Sequence, residues 1–93
     1  MPQDFKGQKV LIAGGTGGLG RAVSLAFLAQ LAQVYVTYHT ESEFVTLRNS
    51  AGIASASLKG YQVDVTDEVA VGEFIAGLVS NNRRIDVFIN TIG

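Results

Sequence analysis

Val10-Leu11-Ile12-Ala13-Gly14-Gly15-Thr16-Gly17-Gly18-Leu19-Gly20-Arg21 runs from an apolar strand into a glycine-rich turn and on into an amphipathic helix. Glycines let the backbone turn tightly and let a ligand approach it closely. The unpaired N–H groups of the following helix, and the positive end of its dipole, then face whatever sits in the turn. This is the order in which a chain builds a cradle for a pyrophosphate group. Residues 8–13 supply the strand. Leu19, Ala22, Val23, Ala26 and Phe27 recur at helical spacing and predict the helix. The β-rich run Val34-Tyr35-Val36-Thr37-Tyr38 closes the unit.

The glycines fit more than one register. Gly15, Gly17 and Gly20 match G-x-G-x-x-G, Gly14, Gly17 and Gly20 match G-x-x-G-x-x-G, and Gly14, Gly18 and Gly20 match G-x-x-x-G-x-G. Spacing alone leaves these open. The context of a preceding strand and a following helix argues for a dinucleotide turn against a glycine-rich hairpin or linker.

A chain of 93 residues holds at most one small domain, so residues 1–93 are expected to form a single unit. A hydrophobic content of 47% with 16% charged residues is that of a globular protein rather than a disordered one. The net charge of −1, with Arg83-Arg84 as the only basic pair, leaves no electrostatic footprint for nucleic acid or an anionic membrane, and neither partner is expected. There is no cysteine, and His39 is the only histidine, so no metal is expected. No apolar run reaches the ~18 residues of a membrane span, and residues 1–6 lack the apolar core of a secretory signal; a cytoplasmic setting is the expectation.

Beyond Tyr38, Thr40-Glu41-Ser42-Glu43 has the spacing of a capping box, in which Thr40 caps a helix start and Glu43 reaches back. Phe44, Leu47 and Ala51 would face the sheet, and Gly52 would stop the helix. Gly60-Tyr61-Gln62-Val63 reads as a third strand leading to Asp64-Val65-Thr66. Asp67 and Glu68 put negative charge in the first turn of a third helix with the inner stripe Val71, Phe74, Ile75, Leu78 and Val79. After the polar turn 81–84, Ile85-Asp86-Val87-Phe88-Ile89-Asn90 reads as a fourth strand. Apolar strands alternating with helices imply a parallel sheet covered on both faces. The expected fold is a Rossmann-type, doubly wound α/β sheet in three α/β/α layers with strand order 3-2-1-4, and its ligand crevice lies at the carboxyl ends of strands one and four.

Four features now stand in order: the glycine turn, the second strand ending in Tyr38-His39-Thr40, Asp64-Val65-Thr66-Asp67, and Asn90-Thr91-Ile92-Gly93. Together, over essentially the whole chain, they resemble the short-chain dehydrogenase/reductase family. Asn90-x-x-Gly93 is similar to that family's N-N-A-G element and favours the T-G-x-x-x-G-x-G register. The resemblance implies that Gly14, Gly18 and Gly20 form the pyrophosphate turn, with Thr16 and Gly17 within it and Leu19 beneath it. It implies that Asp64 accepts from the adenine amino group, that Val65 touches the adenine ring, and that Asn90, with Gly93 closing its motif, sits beside the adenosine ribose. The competing roles are a turn cap for Asp64, plain core for Val65 and a structural amide for Asn90. Two residues depart from the pattern. Ala13 stands where the family has a threonine whose hydroxyl braces the loop, and Thr91-Ile92 replaces Asn-Ala, so looser or differently packed contacts are expected there.

The resemblance also implies a nicotinamide cofactor. An acid at the end of strand two would hydrogen-bond the 2′-OH of NAD and repel a 2′-phosphate. Tyr38 stands in that place and His39 and Thr40 follow as possible donors, which favours NADP over NAD. The other reading of His39 is a solvent-facing loop residue. The family's catalytic Tyr-x-x-x-Lys is not found: Tyr35, Tyr38 and Tyr61 are followed four residues on by His39, Ser42 and Val65. The 93 residues are therefore expected to be an incomplete, cofactor-binding N-terminal half, ending after the fourth strand, of an oxidoreductase acting on a small carbonyl or alcohol and assembling as a homo-oligomer (dimer or tetramer). The alternative is a dinucleotide-binding sensor or partner module without catalysis. An S-adenosylmethionine site is a third reading, against which Tyr38 argues because that ligand prefers an acid there.

Overall fold

The computed structural model describes residues 5–64, 67–80 and 85–91. The elements are β1 (Lys9–Ala13), α1 (Gly18–Ala29), β2 (Gln33–Tyr38), α2 (Glu41–Ala51), a short 3-10 helix (Gly52–Ser57), β3 (Leu58–Gln62), α3 (Glu68–Ser80) and β4 (Val87–Asn90). All strand pairs are parallel and the order is β3-β2-β1-β4, as the alternation of apolar runs and helices predicts. β1 is central: Val10 pairs with Val34 on one side and Val87 on the other, and Ile12 with Val36 and Ile89.

Because side chains alternate along each strand, the sheet has two inner faces. Val10, Ile12, Val34 and Val36 pack with Leu28 of α1, Leu47 of α2 and Leu58 in the larger core. Leu11 and Tyr35 point the other way, where Leu78 and Phe74 of α3 cover them together with Tyr61. Helices α1 and α2 thus form one outer layer and α3 the other.

The expected elements are all present, with instructive shifts. In α1 the buried row is Gly20, Ser24 and Leu28, flanked by half-buried Val23 and Phe27, whereas Leu19, Ala22 and Ala26 are exposed. Small residues win this face because the helix lies close over the glycine turn; the Ser24 hydroxyl sits 2.9 Å from the Gly15 carbonyl and 2.8 Å from that of Gly20, sharing its proton between them. Thr40 is the N-cap of α2, but its hydroxyl makes no cap hydrogen bond, so the expected capping box is not closed. Gly52 ends α2 as expected, at φ 61°. The chain then continues in the 3-10 helix, and β3 begins at Leu58, two residues before the expected start. Asp67 caps α3: its Oδ1 accepts from the N–H groups of Val69 (3.0 Å) and Ala70 (3.2 Å). Of the expected α3 stripe, Leu78 is buried, Val71 and Phe74 are half-buried and Ile75 is 39% exposed, while the side chain of Val79 lies outside the described residues. β4 is shorter than the expected 85–90 and starts at Val87, after Lys9 and Asp86 exchange two 2.8 Å hydrogen bonds at its entry.

Candidate functional site

The glycine turn joins β1 to α1 at the carboxyl end of the sheet. Gly14 (φ +75°) and Gly18 (φ +37°) adopt left-handed backbone that other residues rarely take. Gly20 is required for space instead: a Cβ there would lie 2.0 Å from the Gly14 carbonyl oxygen. These are the three positions of the G-x-x-x-G-x-G register. Gly15, which that register leaves out, is equally constrained, since a Cβ would meet Val36 Cγ1 at 2.5 Å and Ser24 Oγ at 2.9 Å. Gly17 faces open space, with only Glu43 Oε2 within reach at 3.7 Å of a notional Cβ. It is the N-cap of α1, no side chain caps the helix, and the first turn carries no acid that would compete with an anion for the helix dipole.

Ala13 cannot brace this turn, yet the turn is not loose. Hydroxyls from the two neighbouring strands hold it. Thr37 Oγ1 of β2 accepts from the Gly14 N–H at 2.9 Å. Thr91, directly after β4, donates from Oγ1 toward the carbonyls of Ala13 (2.8 Å) and Gly14 (2.9 Å), and its N–H also reaches Ala13 O at 3.1 Å. Thr91, read from sequence as a departure, is therefore the residue that offsets the other departure at Ala13. Of the two outcomes expected at these departures, looser or differently packed contacts, the second is the one found.

A cleft opens between the turn and the end of β2. Gly14, Thr16 and Gly17 form its one side; Thr37, Tyr38, His39 and Val63 form the other, and Glu43 comes from α2. The Tyr38 ring stacks on Phe44 (4.9 Å between centroids, 11° between planes), so it stands as a fixed wall. Gly60 of β3 leaves the space that Phe44 fills, as a Cβ there would be 2.3 Å from the ring. His39 is exposed, and its carbonyl accepts from Gln62 Nε2 at 3.2 Å. A second, adjoining cleft along α1 and α2 is lined by Thr16, Gly17, Gly18, Arg21, Ser42, Glu43 and Thr46.

The structure thus brings Gly14, Thr16, Gly17, Tyr38 and His39 together, with Gly18 in the adjoining cleft. Asn90 ends β4 in register with Ala13, beside the turn. Asp64 is exposed beyond β3, and Thr40 caps α2 outside the lining of either cleft. Leu19, in the first turn of α1, is not packed under the turn: its side chain is 68% exposed. Val65, Ile92 and Gly93 lie outside the described residues. Sequence reasoning did not single out Thr37 or Glu43. Glu43 looked like half of a capping box, and Thr37 like one more residue of a β-rich run. Among the described residues no cluster of His, Cys, Asp and Glu could hold a metal, and no helix is long and apolar enough to cross a membrane.

Comparison with known proteins follows the same line. A profile of the short chain dehydrogenase family matches residues 8–93. Short chain dehydrogenase pigC of Monascus ruber is 33% identical over 97% of this chain, which covers 32% of that relative. Among solved structures, ElxO with NADP bound superposes with a TM-score of 0.82 at 33% identity, over 94% of this chain and 35% of that one. A short chain dehydrogenase from Leptospira borgpetersenii with bound NAD+ gives a TM-score of 0.79 at 26% identity, over 97% of this chain and 33% of that one. The chain spans a third to a half of the length of the relatives it matches. With its β3-β2-β1-β4 parallel sheet and its glycine turn, the chain belongs to the short chain dehydrogenase family.

Proposed function

We propose that this chain is the dinucleotide-binding part of an NAD(P)-dependent oxidoreductase that moves a hydride between a nicotinamide and a small carbonyl or alcohol. The observation that carries the reading is the turn itself. Left-handed glycines at 14 and 18, a Cβ-free approach at Gly20 and an uncapped α1 N-terminus make a concave backbone surface that suits a pyrophosphate. Gly14, Thr16, Gly17, Gly18 and Gly20 would hold the phosphates, the backbone of Leu19 included. Tyr38, His39 and Thr40 would border the 2′ side of the adenosine ribose, Asp64 and Val65 the adenine, and Asn90 would lie beside the ribose. When bound, the nicotinamide would supply the hydride chemistry and the protein its orientation.

NADP is the favoured form because Tyr38 places no carboxylate at the end of β2. The NADP-bound ElxO structure is consistent with this, and the NAD+-bound Leptospira relative marks the other option. No Tyr-x-x-x-Lys occurs in these 93 residues, so their role in the reaction is to bind the cofactor. The test is to titrate the complete protein with NADP(H) and NAD(H) and to follow reduced-nicotinamide absorbance with carbonyl and alcohol substrates. Dinucleotide binding with turnover supports the proposal; binding without any turnover supports the non-catalytic module, and no binding overturns both.

A further inference from the structure

Glu43 holds the third position after the Thr40 cap, where a glutamate normally folds back onto the cap residue's N–H. Here its backbone N–H bonds to Thr40 O at 3.1 Å, but its side chain points away toward the glycine turn, with Oε2 3.7 Å from a notional Cβ on Gly17. No hydrogen bond or ion pair holds that carboxylate among the described residues. It lines both clefts. In one it faces Tyr38 and His39, and in the other Arg21 stands on the opposite helix.

We infer that Glu43 is a specificity-determining residue that supplies, from α2, the carboxylate that Tyr38 does not supply from the end of β2. The inference rests on the dinucleotide reading above. In that reading the adenosine ribose lies between the turn and Tyr38, which is the space Glu43 enters. There a carboxylate accepts from a free 2′-hydroxyl and repels a 2′-phosphate, whose two negative charges Arg21 and His39 would otherwise attract. Glu43 therefore narrows the preference for NADP that Tyr38 opens, and the protein takes both cofactors.

The test uses the complete protein and calorimetric binding of NADP+, NAD+, adenosine 2′,5′-bisphosphate and 5′-AMP, so that recognition of the 2′-substituent is read without turnover. Glu43→Gln should tighten both 2′-phosphorylated ligands roughly tenfold, the scale of one charge acting on a dianion a few ångströms away in a solvated cleft. It should leave 5′-AMP and NAD+ unchanged or a few-fold weaker. Glu41→Gln removes the same charge from the same helical turn but lines neither cleft, and should leave the ratio unmoved. A Glu43→Gln protein that binds dinucleotides with an unaltered NADP+/NAD+ ratio overturns the role of Glu43 and leaves the dinucleotide reading standing. An equal shift from Glu41→Gln overturns it as well, because the effect would be one of net charge. Failure of the unsubstituted protein to bind any of the four ligands overturns the proposed function itself.

Discussion

Replacing Thr91 with valine tests the idea that strand-four chemistry holds the glycine turn. The substitution keeps the β-branched shape and removes one hydroxyl, which donates toward Ala13 O and Gly14 O at 2.8 and 2.9 Å. Ala13 O retains the Thr91 N–H at 3.1 Å, so the main loss falls on Gly14 O. A net hydrogen bond is worth about 0.5–1.5 kcal/mol, and a carbonyl left unsatisfied in a buried setting costs about 1–3 kcal/mol. Thr91 is half-buried, so a value of ~1–2 kcal/mol follows. For a protein of the relatives' size this corresponds to a fall in Tm of roughly 2–8 °C. Dinucleotide affinity should fall too, because Gly14 is part of the surface that would meet the phosphates. Thr91→Ser keeps the hydroxyl and should retain most of both. The measurements are thermal unfolding and dinucleotide titration of the complete protein in both variants. A valine variant as stable and as tight as the unsubstituted protein would refute the bracing role, as would a serine variant as weak as the valine one.

Further outcomes follow from the same geometry. Gly20→Ala puts a methyl 2.0 Å from backbone and should cost about 2–3 kcal/mol with loss of dinucleotide binding, whereas Gly17→Ala meets only Glu43 Oε2, at an ordinary contact distance of 3.7 Å, and should stay within ~0.5 kcal/mol in denaturant unfolding. Tyr38→Asp should move cofactor preference toward NAD in competitive titration, and it should also lose the Phe44 stack, worth about 0.5–1.5 kcal/mol; an unmoved preference counts against the assignment of the β2 end. In residues 1–93 expressed alone, β4 is a sheet edge with Phe88 55% exposed and with Ile75 of α3 also exposed beside it. Such an edge invites association, so sedimentation should show self-association and unfolding should be weakly cooperative; a cooperative monomer would show a self-sufficient domain.

The strand order was legible because each apolar run is short, bounded by turn residues and separated from the next by a helical stretch, and right-handed crossovers then leave one arrangement. The inward face of α1 was not. Hydropathy periodicity weighs Leu19, Ala22 and Ala26, yet close packing over the turn selects Gly20 and Ser24, small residues that such a pattern counts as breaks. The start of β3 was missed for a related reason: Leu58 is buried at the end of the 3-10 helix, ahead of the Gly60 that looked like the strand's beginning. Capping chemistry was half legible. Asp67 caps α3 through its side chain, whereas Thr40 and Glu43 have the spacing of a box and do not form one.

The site divides along the same line. Glycines announce themselves in sequence because backbone conformation is local: Gly14 and Gly18 take left-handed backbone, and Gly20 stands where no Cβ fits. What fixes the turn is not local: Thr37 is 23 residues from Gly14, and Thr91 is 77. They meet it only because β2 and β4 flank β1, so that one hydroxyl arrives on each side of the same peptide. The reversal of strand order that opens a crevice at the end of β1 therefore also delivers the groups that hold its floor. A chain with the same glycines and a different strand order would keep the motif and lose both braces. The loss of the hydroxyl at Ala13 is tolerable in this fold for that reason: of the central strand's two neighbours, β2 carries a threonine and β4 is followed directly by one where the turn begins.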